Sequence, residues 1–356
     1  MAVEQRKSQV LDLSRPGAVG VEIDVAEAAE VLMSMAAILD EDDETFDLGR
    51  AHMAAARASI SPRVAKLIER IAFSAEKFPA YLLGFVYELT GERSFGALLE
   101  RLREADAVDI KLHLLGYHGA THHLVSPETI KRVADGDREA ADELLGALAE
   151  YDVKQEAARK LIDLGPDAIK ETVLELLPLW HEEVFLPHSG GWREAAERDV
   201  ESKRKLARSH TAEQMVELAT NGYQYSPAPG IRSLAFFPSW WMRPWVILWE
   251  HKNVKIFCYP IREPTADGTS PAELARLYKA LGDEGRLRLL RRLGEGSLRL
   301  SEAATELGVA KSTAHHHLAI LRHAGLVTIR DEDENVYSLR RDVVPRAGEL
   351  LESFIG

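Results

Sequence analysis

Histidine is the residue type in this chain that most directly suggests metal or acid–base chemistry. One group of four lies within eleven residues, around a glycine-containing segment: His113, His118, His122 and His123. A metal site needs three or four convergent ligands, and a loop could bring these side chains together. The alternative is a set of exposed loop histidines beside a helix end. We predict no metal site here, and keep His118 and His122 as candidate residues of a ligand pocket.

Two further histidine patterns lack the spacing of a metal site. His181-Glu182-Glu183, with His188 downstream, does not have the His-Glu-x-x-His spacing that places two ligands on one helical face. A zinc hydrolase is therefore not expected. The run His315–His317 is consecutive, and successive residues of a helix point about 100° apart. We expect no bound metal and no cofactor.

Aromatic residues define another candidate site. Ten of them fall between residues 223 and 259. The members that could line an apolar ligand pocket are Tyr225, Trp240, Trp241, Trp245 and Trp249. The alternative is a sheet core packed against helices. Both interpretations stay open, because one face of a sheet can be core while the other lines a pocket.

Motifs for catalysis are absent from the sequence. It contains no Gly-x-Ser-x-Gly, no P-loop and no Gly-x-Gly-x-x-Gly after a predicted strand. The single cysteine, Cys258, lies in an apolar, strand-like run, where an inert buried thiol is commoner than a nucleophile. We therefore expect that the protein is not an enzyme.

The elements that most clearly form a unit lie near the C-terminus. Gly308 follows an apolar stripe at helical spacing, where a left-handed residue ends a helix. A second helix is predicted over Lys311–His323, ended by Gly325, and residues 326–329 have strand composition. The first stripe comprises Leu300, Ala303, Ala304 and Leu307. Two short helices joined by such a turn form a helix-turn-helix, and a following hairpin would be a wing.

The polar face of the second helix is the candidate nucleic-acid contact. Its apolar stripe comprises Ala314, Leu318 and Leu321. The helical step then places four residues on the opposite side: Ser312, Thr313, His316 and His323. Hydroxyl and imidazole groups there can reach base edges and phosphates of the major groove. His317 lies close to the apolar stripe, so we expect it to be packed and hydrogen-bonded.

These residues resemble the ArsR/SmtB family of winged-helix transcriptional regulators, over residues 271–356. The segments that carry the resemblance are LYKALGDEGRLRLLRRL, LSEAATELGVAKSTAHHHLAILRHAGLV and VTIRDEDENVYSLR. It implies a winged helix and a DNA-binding dimer that represses or activates genes in response to a signal. It also implies dimerisation through Ala272–Leu281 and Val344–Ile355.

The resemblance further implies which residues contact DNA. Four occupy the contact positions of the family's recognition helix: Ser312, Thr313, His315 and His316. Lys311, Arg322 and Arg330 are basic and join them as expected contacts with double-stranded DNA. Arg340 and Arg341, at a strand end, are further candidates for the phosphate backbone.

The sequence departs from the family pattern in three places. Ala310 stands where a serine commonly caps the recognition helix. The wing tip is the acidic run Asp331–Glu334, which phosphates would repel. The positions of the family's Cys-x-Cys metal pair hold Arg299 and Ser301, and residues 343–356 contain no histidine. We therefore predict that the winged helix senses no metal, and that a sensor would lie in the N-terminal part.

Charge and composition separate the two parts of the chain. The formal net charge is −13, yet residues 271–356 hold 13 Lys and Arg against 13 Asp and Glu. The acidity belongs to the N-terminal part, which DNA would repel. The single cysteine, the polar first residues and the lack of a long apolar run favour a cytoplasmic protein with no membrane partner.

The predicted fold class is mainly α with a small antiparallel β-sheet (α+β). Residues 26–220 read as helical, and strands are predicted at about 18–25, 231–237, 245–250 and 254–259. We expect a helical domain over 1–265 whose aromatic-rich sheet uses 18–25 and 223–259, the end of a linker at 266–270, and a winged helix over 271–356.

Three hypotheses follow for function. The leading one is a DNA-binding transcriptional regulator that responds to a small molecule through its N-terminal domain. The second is a winged helix used as a protein-interaction module, which the acidic wing favours. The third is an N-terminal enzyme with an appended winged helix, with a cleft near His118 and His122.

Overall fold

The computed structural model describes residues 19–40, 46–71, 78–118, 124–149, 155–225, 230–261, 271–330, 335–341 and 343–356. They form two compact units. The first unit comprises Met1–Ser202 with Gly230–Ile261, and the second comprises Lys203–Pro229 with Arg262–Gly356. The division falls within a helix at Ser202, and the predicted linker at 266–270 lies outside the described residues.

Helices make up most of the first unit. In chain order they are α1 (Glu27–Leu39), α2 (Arg50–Ala58), α3 (Pro62–Ile71), α4 (Leu83–Tyr87), α5 (Phe95–Glu104), α6 (Ala107–Leu114), α7 (Pro127–Ala134), α8 (Arg138–Leu148), α9 (Gln155–Asp163), α10 (Pro166–Trp180), α11 (Leu186–His188) and α12 (Trp192–Ala207). A 3-10 helix, Phe78–Leu82, precedes α4, and a π-helical turn, His181–Phe185, joins α10 to α11. Polar caps such as Ser94 and Ser126 begin several of them by accepting from backbone N–H groups.

The centre of the first unit is α1. Every residue from Ala28 to Ile38 in this helix is buried, so it is surrounded on all sides rather than amphipathic. The buried set includes two polar residues, Glu30 and Ser34. Ser34 Oγ accepts a hydrogen bond of 3.0 Å from the indole N–H of Trp180. Glu30 therefore lies in the core itself, where an ionised carboxylate is costly.

The described strands form two four-stranded sheets, one in each unit. They are β1 (Gly20–Ile23), β2 (Tyr223–Gln224), β3 (Ser233–Ser239), β4 (Ile247–His251), β5 (Val254–Pro260), β6 (Leu298–Arg299), β7 (Val327–Arg330) and β8 (Val336–Leu339). The order is β1-β3-β5-β4 in the first unit and β2-β7-β8-β6 in the second.

The sheet of the first unit is mixed, so its expected antiparallel arrangement is wrong. β1 and β3 are parallel, and so are β3 and β5; only the β4–β5 hairpin is antiparallel. The helical region between β1 and β3 supplies the long crossover that parallel pairing requires. The predicted strands themselves are present, and the mainly helical α+β class is confirmed.

The second unit contains the predicted winged helix-turn-helix. Its further helices are α13 (Ala212–Thr220), α14 (Pro271–Leu281), α15 (Glu284–Glu295), α16 (Leu300–Leu307), α17 (Lys311–His323) and α18 (Val343–Ile355). Gly308 ends α16 with a left-handed φ of 69°, as predicted. The observed bounds of α17 are those predicted, and β7 and β8 form the antiparallel wing.

Residues 203–229 differ from their expected place. The prediction assigned them to the first domain, whereas they group with the winged helix. β2 pairs in parallel with β7, and Arg340 donates hydrogen bonds of 3.1 Å to Asn221 Oδ1 and to Glu217 Oε1. The winged helix is thus extended by α13 and β2. In the described part of the chain, no helix is long and apolar enough to span a membrane.

Candidate nucleic-acid interface and the interior of the first unit

The recognition helix α17 is held in place by its apolar side. Ala314, Leu318 and Leu321 are each fully buried, which confirms the predicted stripe. Ala310 is the N-cap residue and its side chain makes no capping hydrogen bond. The first N–H groups of α17 are therefore left without a side-chain cap, and such groups readily bind anions.

The N-terminal half of α17 carries its exposed polar side chains. Lys311, Ser312, Thr313 and His315 are exposed, and His316 is half-buried. All five are expected DNA contacts, and all lie in the first two turns of the helix. In helix-turn-helix proteins, the N-terminal residues of the recognition helix are the ones that contact base edges.

The C-terminal half of α17 is buried, which contradicts the expected exposure of Arg322 and His323. Their exposed fractions are 8% and 6%. Arg322 Nη1 donates to the carbonyl oxygen of Thr220 at 3.0 Å, and Asn221 Nδ2 donates to the carbonyl oxygen of His323 at 3.2 Å. The cause is the end of α13, which covers this half of the helix. Arg322 is thus a packing residue of the second unit rather than an accessible DNA contact.

The wing supplies one exposed basic side chain from the predicted set, Arg330 at the end of β7. The acidic run Asp331–Glu334 lies outside the described residues. Arg340 bonds to Asn221 and Glu217, so it braces α13 instead of pointing to a phosphate. The guanidinium of Arg341 is exposed and donates to the carbonyl oxygen of Gly294.

His317 faces the N-terminus of α15 instead of the DNA side. Its Nδ1 lies 3.6 Å from Asp283 Oδ1, just beyond hydrogen-bonding distance. Asp283 is the N-cap of α15 and accepts from the N–H of Arg286. Burial lowers the pKa of His317, although Asp283 opposes this. The predicted packing of His317 is therefore observed, whereas its predicted hydrogen bond is not.

The predicted aromatic pocket divides between the units. Tyr225 belongs to the second unit, and the four tryptophans belong to the first. Trp241 and Trp249 are buried in the core, at 0% and 8% exposure, while Trp240 and Trp245 are half-buried against it. This arrangement matches the alternative interpretation, a sheet and loop packed against helices.

A buried carboxylate lies beneath these tryptophans. Glu30 Oε1 accepts hydrogen bonds from the backbone N–H groups of Trp240 and Trp241, at 2.9 and 3.0 Å. Burial raises the pKa of Glu30 to about 7, and hydrogen bonds, with Ser239 the strongest, offset part of that rise. Glu30 Oε2 has no hydrogen-bond partner among the described residues. The His52 ring lies 5.2 Å from the Trp241 ring, and its Nε2 likewise lacks one.

His118 lies beside two other histidines, His113 and His251, while His122 and His123 lie outside the described residues. Burial, together with the charges of His113 and His251, lowers the pKa of His118 to about 4. Sequence reasoning missed His251, because it comes from a hairpin far along the chain. Only its place at the end of the predicted strand 245–250 could have drawn attention to it.

Known proteins match the second unit. Residues 283–328 match the family "Bacterial regulatory protein, arsR family". An uncharacterised HTH-type transcriptional regulator, YceK of Bacillus subtilis, is 39% identical over 71 residues, which are 19% of this chain and 71% of that protein. The HTH-type transcriptional regulator CmtR of Mycobacterium tuberculosis is 40% identical over 81 residues, or 22% and 69%.

An archaeal protein matches the same region. The uncharacterised HTH-type transcriptional regulator MJ1325 of Methanocaldococcus jannaschii is 38% identical over 80 residues, which are 22% of this chain and 90% of that protein. These relatives and the exposed recognition helix agree on DNA-binding regulation of transcription. The chain belongs to the ArsR family of helix-turn-helix transcriptional regulators.

Proposed function

We propose that this regulator reads an operator with the N-terminal half of α17, as a dimer, and responds to an effector held by its first unit. The observation that supports the DNA contact most directly is the exposure of Lys311, Ser312, Thr313 and His315 on a helix whose other half is anchored. Hydroxyl and imidazole groups at these positions can donate to guanine acceptors or to phosphates.

Backbone contacts are expected at both ends of the reading surface. The uncapped N–H groups that follow Ala310 can bind one phosphate, helped by the positive end of the helix dipole. Arg330 is exposed at the end of β7 and can bind another. Such contacts fix the orientation of the protein on DNA without reading sequence.

Exposed apolar side chains support a dimer through α14 and α18. These two helices are joined by a hydrogen bond of 3.1 Å from the Tyr278 hydroxyl to the carbonyl oxygen of Ala347. Tyr278, Phe354 and Ile355 are 38%, 49% and 75% exposed. Exposed large apolar side chains on two neighbouring helices suit burial against a second copy of the chain. The two recognition helices of such a dimer would face a two-fold symmetric DNA site.

The residues at the family's metal-binding positions in the winged helix support an effector site in the first unit. Arg299 and Ser301 stand at the positions of the family's metal-binding cysteines, and neither is a soft ligand. The first unit instead holds ionisable side chains with buried polar atoms that have no hydrogen-bond partner among the described residues, such as Glu30 and the half-buried His52. Such groups cluster where ligands bind.

The DNA contact is tested by replacing Ser312 and His316 together with alanine. We expect about a 100-fold loss of operator affinity, since each base contact contributes about 1–3 kcal/mol. The matched control is Ser209→Ala with His210→Ala, which removes the same two residue types from the segment before α13. Affinity is measured by fluorescence anisotropy with a labelled duplex. Equal affinities of the two double variants would contradict the assignment of α17.

A further inference from the structure

Three histidines from separate segments converge inside the first unit. His113 lies in the last turn of α6, His118 follows that helix, and His251 ends β4. One ligand atom from each lies within 4.8 Å of the other two. The ring centroids are 4.8 Å apart for His113 and His118, 4.9 Å for His118 and His251, and 5.4 Å for His113 and His251.

Two of these rings are almost completely shielded from solvent. His113 is 2% exposed and His251 is 1% exposed, while His118 is half-buried. His113 Nε2 and His251 Nδ1 have no hydrogen-bond partner among the described residues. An unpaired polar atom in such a position costs about 1–3 kcal/mol. Two of them, with a third imidazole beside them, indicate a missing polar partner.

Oxygen atoms behind the rings fix which nitrogens carry protons. His113 Nδ1 lies 2.9 Å from the carbonyl oxygen of Asp109, and His251 Nε2 lies 2.9 Å from Glu88 Oε1. Both oxygens can only accept, so these nitrogens donate. The other nitrogens, His113 Nε2 and His251 Nδ1, then carry lone pairs. This is the orientation in which metal-binding histidines are usually held by outer carboxylate or carbonyl groups.

Glu88 is itself held in place by two cationic side chains. Lys252 and Arg101 bind the carboxylate at 2.5 and 2.8 Å. Glu88 is therefore positioned to accept a hydrogen bond from the His251 imidazole.

The backbone is shaped to admit the His251 ring. A Cβ atom added to Gly84 in α4 would lie 2.4 Å from His251 Nδ1, which is far inside van der Waals contact. On the other side, the His113 ring packs at 4.1 Å from the ring of Phe85. Gly84 thus permits the close approach that brings His251 to the other two histidines.

We propose that His113, His118 and His251 bind one divalent transition-metal ion of the zinc class. Imidazole suits zinc, copper, nickel and iron, and three imidazoles supply three ligands of a tetrahedral zinc ion. Bonds of about 2.0–2.1 Å would bring the ligand nitrogens to about 3.3 Å from one another. Metal binding would therefore require ring rotations that shorten the observed separations, which are up to 4.8 Å.

The metal has a competitor in the same space, an ordered water. A water could donate to the two lone-pair nitrogens and form a further hydrogen bond with His118. The two occupants differ in one decisive respect, because only an ion gives saturable, stoichiometric binding and a ligand-field spectrum.

The test uses the full-length protein without a histidine tag. Zinc affinity is measured by competition with a chromophoric chelator, and geometry by the visible absorption of bound Co(II). We expect one ion per chain, a tetrahedral cobalt spectrum, and at least about a 100-fold loss of zinc affinity in His118→Ala, since even outer-shell changes cost 10–100-fold. The matched control, His188→Gln, removes another half-buried histidine of the first unit and should bind zinc normally.

A second variant keeps all three ligands. Gly84→Ala should push the His251 ring away and weaken zinc binding by about tenfold or more, with the histidine count unchanged. Wild-type protein without saturable zinc binding or a cobalt spectrum would overturn the proposal. So would His118→Ala or Gly84→Ala binding zinc as tightly as wild type, or an equal loss in His188→Gln. None of these measurements uses DNA, so their failure is separate from failure of the proposed operator contact.

Discussion

The chain contains two trios of histidines that differ in a revealing way. His315–His317 are consecutive in sequence and diverge on α17, so that one is exposed, one is half-buried and one faces Asp283. His113, His118 and His251 come from two distant segments and converge on one point. His315 and His316 of the first trio are at least partly exposed, whereas His113 and His251 of the second trio are buried. Histidines that are adjacent in sequence therefore need not share a site, whereas buried imidazole nitrogens without hydrogen-bond partners indicate one.

The largest effect is expected at Glu30, a buried acid of the first unit with an unpartnered polar atom like those of the buried histidines. Its pKa is raised to about 7 from 4.5, so the folded state keeps a proton that the unfolded chain loses between these values. Stability contributed by protonated Glu30 is present below pH 4.5 and is lost as pH rises through 7. Glu30→Gln removes this dependence, so its stability advantage over wild type should grow by about 3 kcal/mol across that window.

Tryptophan fluorescence is the right probe for this experiment, because all six tryptophans lie in the first unit. Urea unfolding of wild type and Glu30→Gln is followed at pH values from below 4.5 to above 7. Other titrating groups, including nearby His52, contribute to both proteins and cancel in the difference. A constant difference across the window would contradict a buried, protonated Glu30.

The two trios should separate in function. Replacing His315 and His316 with alanine should lower operator affinity by about 100-fold, because base contacts are lost, and should leave zinc affinity unchanged. His118→Ala should lower zinc affinity and should leave operator affinity, measured without added metal, unchanged. Anisotropy with labelled DNA and chelator competition are run on the same two preparations. Loss of zinc binding in the α17 variant, or of metal-free DNA binding in His118→Ala, would break the comparison.

The two halves of α17 provide the smallest but sharpest contrast. Arg322→Met should lower the free energy of unfolding by about 2 kcal/mol, because the buried carbonyl oxygen of Thr220 loses its donor. Lys311→Met removes the same charge from the exposed end of the helix, so it should leave stability unchanged and weaken DNA binding. Urea unfolding followed by circular dichroism compares the two. The assignment would be contradicted if Arg322→Met were as stable as wild type and lost as much DNA affinity as Lys311→Met. Arg322 would then lie on the DNA surface.

Local sequence patterns predicted the winged helix closely. The bounds of α17, its stripe of Ala314, Leu318 and Leu321, and the left-handed Gly308 all follow from interactions within a few residues. The same local reasoning predicted the strands of the first unit. It could not predict their parallel pairing, because β1 and β3 are separated by most of the helical region.

The errors at the candidate sites have the same origin. Arg322 was expected at the DNA surface because it is a basic residue of the recognition helix, whereas its guanidinium donates to the carbonyl oxygen of Thr220. The convergence of His113 and His118 with His251 was missed because His251 lies on a hairpin far along the chain. In both cases, the missing information was a long-range contact. Sequence periodicity reports which face of an element is buried, and it does not report what lies against that face.

The most direct test of DNA reading is the salt dependence of binding to the region upstream of the gene itself. Fluorescence anisotropy of wild-type protein is measured at about 50 and 200 mM salt, with unlabelled competitor DNA present. We predict specific binding that weakens by roughly 100-fold or more between these conditions, as expected for about four or more phosphate contacts. Absence of retention even at the lower salt concentration would contradict the account and would favour a winged helix that docks protein.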